Sequence, residues 1–324
     1  MSIKQFPGGI ITQNPTAPTT AAAKGIWTLA QASDFVKQGI WPRSPGAPTI
    51  GTATGSAGSA TVTYTAPTDL GTGAVTYTAT SSPGGLTGTG ASPITVSGLT
   101  NGTPYTFTVT ASTPGGTGPA SAASNSVTPA LPAIGAAFGG GFYAGQIGVS
   151  GVATHNLVVG PLASAQDASV QFKTSQTSDA GATSFIDGPS NSTSMNSASN
   201  PAAFFCEGLT IGGFSDWYMP AYNELDVCYF NLKPTTTSNS TSAGINANAI
   251  PARASYYTAG NPAQTSAAAF VVTTGAEPFT ATYYWNSTQY SPERAYLQTF
   301  SYAYVAFNVK TATAPVRAIR RVAV

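Results

Sequence analysis

The sequence predicts a mainly β chain whose C-terminal part is α+β. Three observations predict it. Between residues 46 and 131, segments such as SATVTYTAP, AVTYTATSSP, SPITVSGL and TPYTFTVTAST alternate apolar residues with Thr or Ser, the period of a half-buried strand. Gly, Pro and Ser interrupt them at short, regular intervals, the spacing of an all-β sandwich. Beyond residue 200, two helical stretches give way to strand-like runs that continue to the C-terminus. With 42% apolar and 10% aromatic residues, the chain can bury real cores, unlike a disordered one. Its 324 residues are enough for about two domains at roughly 150 residues each.

Residues 1–45 begin irregularly, with Pro7, Gly8, Gly9, Pro15 and Pro18. Thr28 then caps a short helix from Leu29 to about Gln38, and Gly39 stops it. Trp27, Leu29, Phe35, Val36, Ile40 and Trp41 carry more apolar surface than 45 residues can bury alone. The segment is therefore expected to dock on a larger body; the alternative is that it packs on its own chain. Residues 46–131 hold one charged side chain, Asp69. Residues 132–324 open with AAFGGGFYAGQIG, read as a strand pair with close backbone approach. No Lys-Ser/Thr follows, so a phosphate loop is not expected. The polar stretch 173–200 reads as mostly loop. Helices follow from Pro201 to Leu209 and from Ala221 to Asn231, then loop to about Ala252. ASYYTAG, AAFVVTT, TYYWNSTQY, AYLQTFSY, VAFNVK and PVRAIRRV read as strands.

Charge excludes several functions. The chain has 12 basic and 11 acidic residues, 7% in all, against roughly 25% in ordinary globular proteins. A net charge of +1 makes no field for nucleic acid or an anionic membrane. The N-terminus has no apolar core of a secretory signal, and no run approaches the ~20 apolar residues of a membrane span. Cys206 and Cys228 read as two reduced, buried thiols, with pairing left open. His155, the single histidine, lies in strand-like GVATHNLVV and reads as structural or exposed. No G-x-S-x-G elbow and no H-E-x-x-H occurs. Glu224 and Asp226 stand two apart and do not share a helix face. An opposed carboxylate pair would have to come from Asp167, Asp179, Asp187, Glu207, Glu277 and Glu293. No catalytic residue, cofactor or metal is expected. Trp217 and Trp285 suit a core that satisfies the ring N–H. One or two of Arg317, Arg320 and Arg321 are expected to pair with Asp216, Glu224 or Asp226; the alternative is an anion site.

Two stretches resemble known families. Leu99, then Asn101–Gly102–Thr103–Pro104 and the run from Tyr105 through Phe107 and Val109 to Ala111, is similar to the fibronectin type III pattern. The resemblance implies a β-sandwich over 46–131 in which the Tyr105 hydroxyl bonds back to the preceding turn. Tyr64 stands where that family has a tryptophan, and a passive spacer is the role implied. Over 132–324, Gly212 to Pro220 with Glu224–Leu225, Tyr284 to Tyr290, Ala295 to Phe300 and Val316 to Arg321 resemble bacterial and phage domains with a C-type-lectin-like fold. This implies two helices beside a small antiparallel sheet with long loops. Glu277–Pro278–Phe279 and Trp285–Asn286–Ser287 do not supply the oxygens of a sugar-bridging calcium. The string from Gly25 to Pro42 resembles short leaders on virion proteins of marine and cyanobacterial phages.

Binding residues belong on loops held by a rigid scaffold, and tyrosine offers contact area at little entropic cost. Tyr302 and Tyr304 are the leading candidates; Tyr256, Tyr257 and Tyr283 are weaker ones. Tyr302 and Tyr304 either contact a ligand or pack in the core or on a neighbouring subunit. The resemblances together imply a non-enzymatic tail or fibre protein of a tailed phage, located in the virion. Its N-terminal segment would hold other virion proteins and its head a host-surface glycan or protein, as a homo-oligomer within the particle. A capsid decoration protein without a specific ligand and a bacterial surface adhesin are the alternatives.

Overall fold

The computed structural model describes residues 29–38 and 42–324. The chain falls into two compact units that divide between Leu131 and Pro132. Helix α1 spans Leu29–Lys37. Trp27, Ile40 and Trp41 lie outside the described residues, as do the side chains of Leu29 and Phe35. No helix among the described residues is long and apolar enough to cross a membrane.

The N-terminal unit contains β1 (Thr49–Ser56), β2 (Ser59–Thr65), β3 (Thr76–Ser82), β4 (Thr87–Thr89), β5 (Ile94–Ser97), β6 (Thr106–Thr113) and β7 (Gly116–Thr117). They form two antiparallel sheets, β1–β2–β5 and β4–β3–β6–β7, the arrangement of a fibronectin type III-like sandwich. The alternation read from sequence decides what is buried. Along β6, Phe107, Val109 and Ala111 point inward and the intervening threonines do not. They meet Ala60, Val62, Ile94 and Val96 in one core. The buried Tyr105 hydroxyl accepts the Thr100 N–H at 3.1 Å, as the resemblance implies. Tyr64 is half-buried, tilted against Tyr77. Arg43 is tied to this sandwich: its N–H donates to Thr72 Oγ1 at 2.9 Å and its guanidinium pairs with Asp69.

The C-terminal unit contains β8 (Ala137–Phe138), β9 (Gly141–Val149), β10 (Val152–Val159), α2 (Leu162–Ala165), β11 (Gln166–Gln171), α3 (Gly188–Ser194), α4 (Pro201–Glu207) and α5 (Tyr222–Leu232). After them come β12 (Ala249–Ile250), β13 (Tyr283–Gln289), β14 (Arg294–Thr299), β15 (Val305–Val309), β16 (Thr313–Arg317) and β17 (Ile319–Ala323). There are three small sheets: β12–β9–β10–β17 with β8 on β9, β11–β16, and β13–β14–β15. The glycine-rich opening serves close approach: a Cβ on Gly141 would sit 2.3 Å from the Val159 carbonyl oxygen. Helix α5 packs Leu225, Cys228, Tyr229 and Leu232 onto β9, β10 and the rings of Phe279, Tyr284 and Phe300. A second core gathers Trp217, Trp285, Phe172, Met219 and Val316. Both indole N–H groups are satisfied, by the Phe214 carbonyl at 3.1 Å and the Val170 carbonyl at 3.0 Å.

The stretch 173–200 is mostly loop, as expected, with α3 set into it where Asp187 caps it and Pro189 sits in its first turn. Two readings need correction. ASYYTAG is irregular, tied by isolated bridges only. AAFVVTT forms a single 3-10 turn at Ala268–Phe270, because Phe270 turns inward onto Phe142 and Phe279 and Gly275 closes a hydrogen-bonded turn on Val271.

The closing strand is pinned by charge. Arg320 grips Asp216 with two bonds of 2.7 and 2.8 Å, and Arg321 bonds Glu224 at 2.7 Å. Arg317 instead takes Glu277 at 2.8 Å, and Asp226 takes Arg253.

Two tests follow from these contacts. Tyr105→Phe removes the acceptor of a part-buried N–H and should cost the N-terminal unit about 1 kcal/mol, read from its urea unfolding midpoint. The second concerns pH. Hydrogen bonds from Arg320, above all, hold the Asp216 carboxyl below its ordinary range. Its stabilisation is therefore present above the unfolded value near about pH 4 and is lost as pH falls through the lower, folded value. Asp216→Asn should lower neutral-pH stability and flatten the decline that sets in below about pH 4; a variant whose denaturation midpoints parallel those of the parent through that decline contradicts the pairing.

Candidate functional site

The site is built on the β13–β14–β15 sheet, where β14 pairs β13 and β15 in register, Tyr283 opposite Thr299 and Gln298 opposite Val305. Strand β15 is the outer edge of that sheet. The β14–β15 connection is tight. Ala303 lies in the left-handed region at φ 68°, buried, and its N–H donates to the Thr299 carbonyl at 3.1 Å. The turn throws out the residues on either side of Ala303, leaving Tyr302 37% and Tyr304 44% exposed. Neighbouring loops hold it: Ser240 N–H donates to the Tyr302 carbonyl at 2.7 Å and the Thr235 hydroxyl to the Ser301 carbonyl at 2.9 Å.

Three of the five candidate tyrosines meet here. The Tyr302 and Tyr304 rings stack with centroids 6.4 Å apart and 24° between planes. The Tyr302 hydroxyl lies 3.3 Å from that of Tyr283. That hydrogen bond first, then burial and the neighbouring phenols, pushes the Tyr283 phenol up to about 12. Tyr256 is 57% exposed but shares no ring contact with this group. Tyr257 is a correction. It is only 4% exposed, its hydroxyl donates to the Asp226 carboxylate at 2.6 Å, and its ring stacks with Phe230. It belongs to the core that α5 covers, and a surface ligand does not reach it.

A second aromatic group went unread in the sequence. Tyr290 and Phe307 are exposed and stack at 4.1 Å with 2° between planes. The Tyr296 ring meets Tyr290 edge-on, and Tyr222 and Phe185 continue the series. The Arg294 guanidinium lies 5.3 Å from the Phe307 centroid. Between the two groups runs a groove of about 240 Å³, lined by Tyr283 and Phe307 with Leu297, Ala306, Asn308, Thr313 and Pro315 among others. The signal available was register: once β14 and β15 are paired, Tyr296 must stand opposite Phe307.

The residues considered for chemistry serve structure. Asp187 caps α3, Glu277 holds Arg317 and Asp179 lies between Lys173 and Lys310. His155 sits on β10 with Nδ1 3.0 Å from the Thr154 hydroxyl; burial, then Arg321, lowers its pKa. Cys206 and Cys228 are free, each buried in a different core, and burial pushes both thiols up.

No family model matches the chain, and no curated protein does. Among solved structures, the chain is similar to titin kinase with its flanking domains, at 22% identity over 27% of this chain and TM-score 0.24. It spans only 17% of that structure. A human fibronectin type III domain, from fibronectin type III domain containing protein 3, matches at 19% identity over 28% of this chain and 89% of its own, TM-score 0.23. Domains d3–d4 of the rat CD45 extracellular region match at 16% identity, over 40% of this chain and 79% of theirs, TM-score 0.24.

The Tyr283–Tyr302 bond is open to direct titration. Tyr302→Phe removes the hydroxyl partner and should bring the Tyr283 ionisation down, seen as phenolate absorbance rising at lower pH than in the parent. An unchanged titration would show that the two hydroxyls do not interact.

Proposed function

We propose that this chain is a non-enzymatic structural protein of a phage tail or fibre, whose C-terminal unit presents an aromatic sheet edge to a glycan or protein of the host surface. The observation that carries the reading is the cluster of exposed Tyr302 and Tyr304 with half-buried Tyr283, held on paired strands and a braced turn. Flat aromatic faces with hydroxyl tips match the mixed apolar and hydroxylated faces of sugars and the exposed backbone of proteins. Positions fixed by strand pairing lose little further freedom on binding. The surface offers little charge to steer a ligand, so shape and stacking carry the recognition. Weak single sites of this kind gain strength when several copies engage one surface together, which agrees with a homo-oligomer in a particle.

The fibronectin-like sandwich serves in this reading as a spacer, and residues 1–45 as the docking segment on other virion proteins. The resemblance of the C-terminal unit to lectin-like phage domains, and of the leader to virion leaders, supports the placement in a tail. The test is adsorption of the full chain to host cells. The double variant Tyr302→Ala, Tyr304→Ala should bind at least about tenfold more weakly, the scale of losing a pair of interface aromatics, with its unfolding transition preserved. Full adsorption by a folded double variant would remove the cluster from recognition and favour the ligand-free decoration protein.

A further inference from the structure

A buried charge cluster beneath the 174–199 loop has an uneven composition. Lys173, Asp179, Asn200 and Lys310 are all buried. Lys173 Nζ donates to Asp179 Oδ1 at 2.6 Å and Lys310 Nζ to Asp179 Oδ2 at 2.8 Å. One carboxylate thus bonds two ammonium groups, while Glu293 acts on Lys310 only from outside the bonded set; within bonding distance positive charge is in surplus, a costly arrangement for buried groups. Peptide carbonyls and Gln289 supply further acceptors, yet none carries a compensating charge.

The third donor to the same carboxylate is an amide. Asn200 Nδ2 reaches Asp179 Oδ1 at 3.0 Å, so the amide and the Lys173 amine converge on one oxygen atom. The backbone makes this proximity persistent: Thr174 N–H donates to the Ser199 carbonyl at 2.9 Å, so Lys173 and Asn200 flank a hydrogen-bonded pair of neighbouring chain segments. The Ser197 hydroxyl lies 3.4 Å from Asn200 Oδ1, placed to donate to the carbonyl oxygen. Amine, amide, carboxylate and hydroxyl are the parts of an acyl transfer: nucleophile, electrophile, proton carrier and oxyanion donor.

We propose that Lys173 and Asn200 form an intramolecular isopeptide bond, with Asp179 as proton carrier. Asp179 accepts a proton from the Lys173 ammonium. The freed amine lone pair attacks Asn200 Cγ, and a new C–N bond forms as the carbonyl π pair moves onto Oδ1. Collapse breaks the Cγ–Nδ2 bond, and the departing nitrogen takes the proton from Asp179 and the second amine proton, leaving as ammonium and returning Asp179 to its carboxylate form. Nothing is oxidised or reduced, and no further reactant is required. The product removes one of the two buried positive charges, so Asp179 and Lys310 remain as a balanced pair. The bond also closes the Ser-, Asn- and Thr-rich 174–199 loop, restricting the unfolded chain as a disulfide does, in a chain whose two cysteines are unpaired.

Mass spectrometry of the purified, denatured full chain decides the matter. The expected result is an intact mass lower than that of the sequence by one ammonia, with a branched tryptic peptide joining Lys173 to Asn200. Lys173→Arg keeps the positive charge but not the amine, and should restore the full mass with only linear peptides. The proposal is overturned by full mass in the folded parent, by ammonia lost without a branched peptide (a succinimide), or by a branch at Lys310 or Asp179. Host adsorption is read separately, so either result leaves the attachment reading to its own test.

Discussion

Arg253, Arg317, Arg320 and Arg321 each end on a different carboxylate: Asp226, Glu277, Asp216 and Glu224. Two of those acids, Glu224 and Asp226, lie on α5, and a third, Asp216, lies in the turn before it. Through Arg320 and Arg321 the closing strand β17 is thereby bound to that turn and helix. Arg317 reaches the loop at Glu277 and also donates to the Gly160 carbonyl at 2.9 Å. A buried guanidinium left alone is far more costly than one that is paired and hydrogen-bonded. The pairs therefore specify where the last strand must lie, and the two aromatic cores fill around that choice.

The same economy of charge shapes the surface. Asp216, Glu224, Asp226 and Glu277 are committed to ion pairs, and Asp187 to a helix cap. What the C-terminal unit presents instead is aromatic area: two clusters flanking a shallow groove along the edge of one three-stranded sheet. Edge strands invite adventitious pairing. Here the edge carries an outward Phe307 with Arg294 over its ring, a surface able to bind through faces as well as backbone. The N-terminal sandwich has a small core of its own, and Arg43 pairs with Asp69 on its surface.

Much of this was legible in the chain. The alternation in TPYTFTVTAST marked the inward face of β6 because a pleated strand exposes every second residue. Tyr105 was legible as a corner only through the resemblance to the fibronectin type III pattern, which implies the bond its hydroxyl makes to the Thr100 N–H. Both tryptophans and the arginine cluster were legible as structural, since large apolar groups and scarce charges have few stable places to go. Helices α4 and α5 lay within two residues of their expected ends, as frayed termini allow. Local pattern failed where the decision was not local. AAFVVTT has the composition of a strand, yet it has no partner edge, and Phe270 finds its place among Phe142 and Phe279. Tyr256 and Tyr257 are adjacent and chemically alike in sequence, but only one faces Asp226.

By itself, then, the sequence determined the β class, the sandwich, the helix positions and the shortage of free charge, because periodicity and composition act over a few residues or over the whole chain. The tertiary structure alone decided which arginine meets which acid, which tyrosines share a surface, and that Lys173, Asp179, Asn200 and Lys310 converge. Those contacts join residues far apart in the chain, Asp179 and Lys310 for instance being 131 positions apart, and nothing in local spacing encodes which strands will pair to bring them together.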